Sequence, residues 1–158
     1  MPILYLEDRK DKIAEVKKCL HSFGYRLRVC NTISKALAAL EKSNFDLIIS
    51  GVHLELENAL DFVRIIRKHP HLSQLPIILV DLHQTSFAKA LNDSLEVTCQ
   101  MLGATHYFAM SDFDSKRLYR LVQETIQTTL ANAEMPPKMV PLPSEKRLKI
   151  MRRKIVEK

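Results

Sequence analysis

The strongest constraint on this chain is a rhythm: short strand-like segments alternate with stretches whose apolar residues return at helical spacing. The strand-like segments are Ile3–Leu6, Tyr25–Val29, Asp46–Ile49, Pro76–Val80 and Tyr107–Ala109. A nearly continuous apolar run marks a strand buried on both faces, the condition of a central strand in a parallel sheet. Between them, Ile13, Val16 and Leu20 mark a first helix, with Gly24 as its C-cap candidate. Thr32 or Asn31 can cap a second helix through Leu37 and Leu40, and Phe62, Ile65 and Ile66 carry a third, stopped before Pro70. A fourth is expected from Ser86 to Leu102, ended by Gly103, and a fifth through Leu118, Leu121, Val122 and Ile126 to about Ala133. Five β-α units in succession predict a single doubly wound α/β domain with a parallel five-stranded sheet in the order 2-1-3-4-5. The ligand crevice of such a sheet lies at the carboxyl ends of its strands, so function is sought after Leu6, Ile49, Val80 and Ala109.

Composition enters as a set of exclusions. With 158 residues, 46% hydrophobic and 27% charged, the chain can bury a core and is not disordered as a whole. Only three glycines are present, with no Gly-x-Gly-x-x-Gly and no Gly-x-x-x-x-Gly-Lys-[Ser/Thr], so a nucleotide-phosphate loop is not expected. No Ser/His/Asp arrangement points to an enzyme. Cys19, Cys30 and Cys99 are odd in number and widely spaced, which reads as buried reduced thiols, not a disulfide frame or zinc site. No apolar run reaches the length of a membrane span, and the strand-like start leaves no signal segment, so a cytoplasmic protein is expected.

The formal charge of +6 is concentrated at one end. Residues 136–158 hold eight basic side chains against two acidic ones, so the rest of the chain is neutral. Four prolines between Pro136 and Pro143 read as an extended linker. The expected organisation is therefore a domain over residues 1–133, a Pro-rich linker over 134–143, and a basic tail over 144–158 able to form a short helix. The tail carries Lys146, Arg147, Lys149, Arg152, Arg153 and Lys154 around a stripe of Leu148, Met151 and Ile155. It has no aromatic residue to stack on bases, so any nucleic-acid binding would be weak, non-specific and salt-sensitive, and anionic lipid would serve equally.

At the strand ends, Glu7 and Asp8 follow the first strand, and adjacent carboxylates there are the makings of a hard-cation site. Ile3-Leu4-Tyr5-Leu6-Glu7-Asp8-Arg9 resembles the opening of the response-regulator receiver domain, the phosphoacceptor module of two-component signalling. The resemblance continues through Asp46-Leu47-Ile48-Ile49-Ser50-Gly51, Leu75-Pro76-Ile77-Ile78-Leu79-Val80 and Leu102-Gly103-Ala104-Thr105-His106-Tyr107-Phe108. It spans residues 2 to about 130 and implies a flavodoxin-like (βα)5 receiver fold.

The resemblance also implies a mechanism, and here the chain departs from it. A receiver's phosphoacceptor aspartate falls on Gly51, its hydroxyl on Asp81 and its lysine on Met110; only the acidic pair remains. These departures point to a pseudo-receiver that cannot be phosphorylated by the family's route. Its degenerate pocket would comprise Glu7, Asp8, Gly51, His53, Asp81 and Met110, with Glu7, Asp8 and Asp81 converging as a candidate Mg²⁺ site. Tyr107 stands where receivers carry the aromatic of their signalling face, and the stretch from Asp81 to Gly103 is about two helical turns longer than the family's. The leading reading is a non-enzymatic protein–protein interaction module in bacterial two-component or phosphorelay signalling. Its partner would be a kinase, regulator or effector, and a homodimer would use the same face. The alternatives are an adaptor binding nucleic acid or anionic membrane through the tail, and an active phosphorelay receiver with Asp81 or Ser50 as an unorthodox acceptor.

Overall fold

A computed structural model describes residues 1–134. The five strands are β1 (Pro2–Leu6), β2 (Arg26–Cys30), β3 (Leu47–Gly51), β4 (Ile77–Leu82) and β5 (His106–Met110). All pair in parallel, in the order β2-β1-β3-β4-β5, as the sequence predicts. Every residue of β3 and β4 is buried, which is why these segments read as unbroken apolar runs.

Helices cover both faces. α1 (Lys10–Ser22) and α6 (Ser115–Glu134) lie on one, bringing Val16, Leu20, Leu118 and Val122 onto Tyr5, Ile49 and Val80. α2 (Ile33–Lys42), α3 (Ala59–Lys68) and α5 (Asn92–Met101) lie on the other, where Leu40, Phe62, Ile66 and Cys99 meet Leu4, Ile48 and Leu79. The three cysteines are free and buried.

Local chemistry sets the helix ends. Gly24, at φ +83°, ends α1 in a Schellman arrangement, with Gly24 N–H donating to the His21 carbonyl and Tyr25 N–H to the Leu20 carbonyl. Of the two cap candidates for α2, Thr32 caps it, its hydroxyl accepting from Lys35 N–H at 3.2 Å. Asn58 caps α3 through Leu60 N–H.

One expected helix is divided. Instead of a single helix from Ser86 to Leu102, the chain forms a short α4 (Ser86–Ala90) and then α5, with Leu91 between them at φ −97°, ψ 1°. α4 buries none of its residues. The Asn92 side chain, at the first position of α5, accepts from Gln84 Nε2 at 3.1 Å. The break therefore stands where an amide of the loop after β4 engages the start of α5, a tertiary contact that helical periodicity does not encode.

Candidate functional site

The carboxyl ends of β1, β3, β4 and β5 bring the sequence-predicted residues to one rim of the sheet. Glu7 leaves β1 fully buried. Its Oε1 accepts from the backbone N–H groups of Asp8 at 3.0 Å and Arg9 at 3.2 Å, folding the carboxylate back on its own turn. Its Oε2 has no hydrogen-bond partner. Burial raises the Glu7 pKa above the ordinary carboxylate value, opposed by the Arg9 and Asp8 N–H groups and by Lys12.

Gly51 ends β3 directly beside this carboxylate. A Cβ at residue 51 would stand 3.0 Å from Glu7 Cδ and closer still to Oε2. The Glu7 carboxylate thus fills the space in which a side chain at position 51 would begin. A side chain here would have to displace that carboxylate.

Asp8 turns the other way. Its Oδ2 accepts from Glu55 N–H at 2.7 Å, and its buried Oδ1 has no partner. This bond pins the β3–α3 loop across the rim, and Arg9 approaches Glu55 at 3.9 Å. The same loop is anchored a second time where Glu57 Oε2 accepts from Ile33 N–H at 2.7 Å, serving the N-terminus of α2.

Asp81 lies within β4, 3% exposed, and forms a separate cluster. Its Oδ2 accepts from the Tyr107 hydroxyl at 3.3 Å and from Gln84 Nε2 at 3.4 Å, and stands 3.3 Å from His53 Nε2. Burial and then the Asp81 carboxylate push the Tyr107 pKa up, so the hydroxyl keeps its proton and donates. The strand register puts Asp81 opposite Ala109, two residues beyond Tyr107, so both side chains emerge on the α5 side of the sheet.

Two expectations need correction. Glu7, Asp8 and Asp81 do not converge: among the described residues no three metal-ligating side chains gather. The reason is competition, because Asp81 is bound to Tyr107, Gln84 and His53 while Glu7 and Asp8 each commit one oxygen to backbone N–H groups. Glu7 Oε2 and Asp8 Oδ1, both buried and without a partner, are what the acidic pair leaves for the Mg²⁺ that the resemblance implies. Met110, expected in the pocket, instead packs into the core beneath α1 and α6 with Leu82 and Leu118, its Sδ accepting from Asp114 N–H. An unbranched apolar side chain on that side of β5 is drawn inward by burial.

Ser50 is fully buried and its hydroxyl donates to the Gly51 carbonyl at 3.0 Å. The sequence reading missed Gln84, Asn92, Glu57 and the pairing of His83 with Glu15, whose Nε2 and Oε2 lie 2.7 Å apart. His83 adopts φ +58°, and only the path of the loop brings it to α1. The tail residues Lys146, Arg147, Lys149, Arg152, Arg153 and Lys154, and the linker before them, lie outside the described residues.

Comparison with known proteins gives a consistent result. The family model for the response regulator receiver domain matches residues 3–108. The chain superposes on the chemotaxis response regulator CheY4 of Vibrio cholerae with a TM-score of 0.66 at 23% identity, covering 78% of this chain and 97% of that one. The signal receiver domain of a signal transduction histidine kinase from Syntrophus aciditrophicus gives 0.63 at 19%, covering 88% and 96%. NtrX from Brucella abortus gives 0.71 at 23%, covering 84% of this chain but only 28% of that one. At these identities the likeness is one of fold. No curated protein sequence matches the chain.

Proposed function

The chain belongs to the response regulator receiver domain family, and from that membership we propose that it is a pseudo-receiver, one that takes no phosphoryl group and signals by binding a protein partner. The observation that carries the reading is the Glu7 carboxylate standing against Gly51. Phosphoryl transfer to a receiver needs a carboxylate nucleophile at that position with room for in-line attack. Here the position has no side chain, and its space holds an acid from the neighbouring strand. The remaining candidates are poor nucleophiles for physical reasons: Asp81 is buried and hydrogen-bonded, and the Ser50 hydroxyl is buried against its own backbone.

The same reading gives Asp81 a purpose. In a receiver the aromatic on β5 answers to the phosphorylated site; here the Tyr107 hydroxyl donates to the Asp81 side chain at 3.3 Å, a contact that needs no phosphoryl group. The surface beside it would then be presented continuously. That surface includes α4 and α5, where Phe87 is 76% exposed and Met101 83% exposed, with Leu91 and Val97 also half in solvent. Apolar side chains of this size in solvent suit a protein partner. Among the described residues no helix is long and apolar enough to cross a membrane.

Acetyl phosphate treatment followed by intact-mass measurement tests the reading. The expected result is an unchanged mass with and without Mg²⁺. A stable phosphoryl adduct overturns it, and peptide mapping would then name the acceptor.

A further inference from the structure

We propose that the groove between α2 and the open edge of β2 is a docking site for an acidic, extended segment of a partner protein. This surface lies at the opposite edge of the sheet from β5 and does not rest on the pseudo-receiver reading.

β2 is an edge strand, paired only with β1. Arg26 N–H donates to the Met1 carbonyl and the Cys30 carbonyl accepts from Glu7 N–H, so these alternate residues face β1. By the same alternation the N–H and C=O groups of Leu27 and Val29 face outward, where an added strand would find them. Next to this edge, on the α2 side, is a groove of about 330 Å³. Ala38, Ala39 and Phe45 line it with apolar surface, and Arg28, Lys35 and Lys42 supply charge. No acidic side chain lines it. Among the described residues none of these three cations makes an ion pair; Lys35 donates only to the neutral Asn31 side chain at 2.8 Å.

The arrangement of charge selects the occupant. Lys35 and Lys42 stand seven positions apart on one side of α2, which separates their backbones by roughly 10 Å. Cations spread along the groove in this way would meet carboxylates on alternate residues of an extended chain, which recur about 7 Å apart on one face of a strand. A second copy of this edge would set Arg26 and Arg28 against their own likeness, and like charges across a new strand pair repel. Single-stranded nucleic acid would want exposed aromatic rings, and the groove's one ring, Phe45, is half-buried. An acidic segment satisfies the edge, the charge and the spacing together.

The test uses the full chain, a short synthetic peptide alternating glutamate and threonine, its glutamine counterpart, and an oligothymidylate. The expected result is that the glutamate peptide, and not the glutamine one, shifts the amide resonances of Leu27, Val29 and α2. Combined Arg28→Glu and Lys42→Glu substitutions should weaken its binding about tenfold or more. Both side chains are exposed, so the fold is not at stake, and the mapping on the unmodified chain stands by itself. The basic tail also attracts acidic peptides, but those two substitutions leave it intact. Binding that survives them undiminished, or leaves Leu27 and Val29 unshifted, overturns the proposal. So does an oligothymidylate that shifts these amides when the peptide does not.

Discussion

At the scale of single residues, Glu7 and Gly51 have to be read as a pair. A methyl group at position 51 meets the Glu7 carboxylate inside van der Waals contact, so Gly51→Ala should destabilise the chain by roughly 1–3 kcal/mol, read from urea unfolding. Glu7 also gives stability a pH dependence. Its pKa is raised in the folded state by burial, so the folded chain binds the proton more tightly than the unfolded one. Its contribution is complete below the ordinary glutamate value of about 4.3 and is lost as pH rises through the raised one. Glu7→Gln should flatten that part of the stability–pH curve; an unchanged slope would place the titration elsewhere. For Asp81, Tyr107→Phe should cost only about 0.5–1.5 kcal/mol, since it removes one neutral donor and leaves His53 and Gln84 in place. Through the resemblance, the sequence sets Gly51, Asp81 and Met110 at the positions where a receiver carries its acceptor, its hydroxyl and its lysine. It does not show where the substitutes point. Which way Glu7 folds, and that Met110 turns inward, depend on packing between strands distant in sequence.

Among the elements, the strands were legible because burial on both faces writes itself as uninterrupted apolar sequence, Leu47-Ile48-Ile49 being the plainest case. The divided helix was not legible, because no glycine or proline stands at the break and the Gln84–Asn92 contact beside it leaves no mark in helical periodicity. Arg67 shows how much an inter-element contact can carry. From α3 its Nε donates to the Gly103 carbonyl at 2.7 Å, and Nη1 donates to the carbonyls of Ser73 and Leu75 at 3.0 and 2.7 Å. One planar fork thereby holds the α3–β4 and α5–β5 connections together. Arg67→Ala should cost roughly 2–3 kcal/mol in equilibrium unfolding. Arg67→Lys, keeping the charge without the fork, should recover less than half of that.

For the molecule as a whole, the charge is concentrated at one end of the sequence. Among the described residues the core clusters run from Ile3 to Ile126, and the net charge of +6 belongs to residues 136–158. A chain ending at Glu134 should therefore unfold at the same midpoint as the full chain while losing retention on a cation-exchange column. A shift in the midpoint of more than a few degrees would mean that the tail contributes to folding stability. On the two proposals above, the edges of the sheet would serve as separate surfaces, an apolar one beside β5 and a basic one along β2.

The close fit of Glu7 over Gly51 also bears on reversibility. An aspartate introduced at position 51 meets an occupied site, while a smaller residue introduced first at position 7 opens a void beside a fully buried strand end. Restoring an aspartate at position 51 should therefore require a change at position 7 as well, so the two positions are coupled.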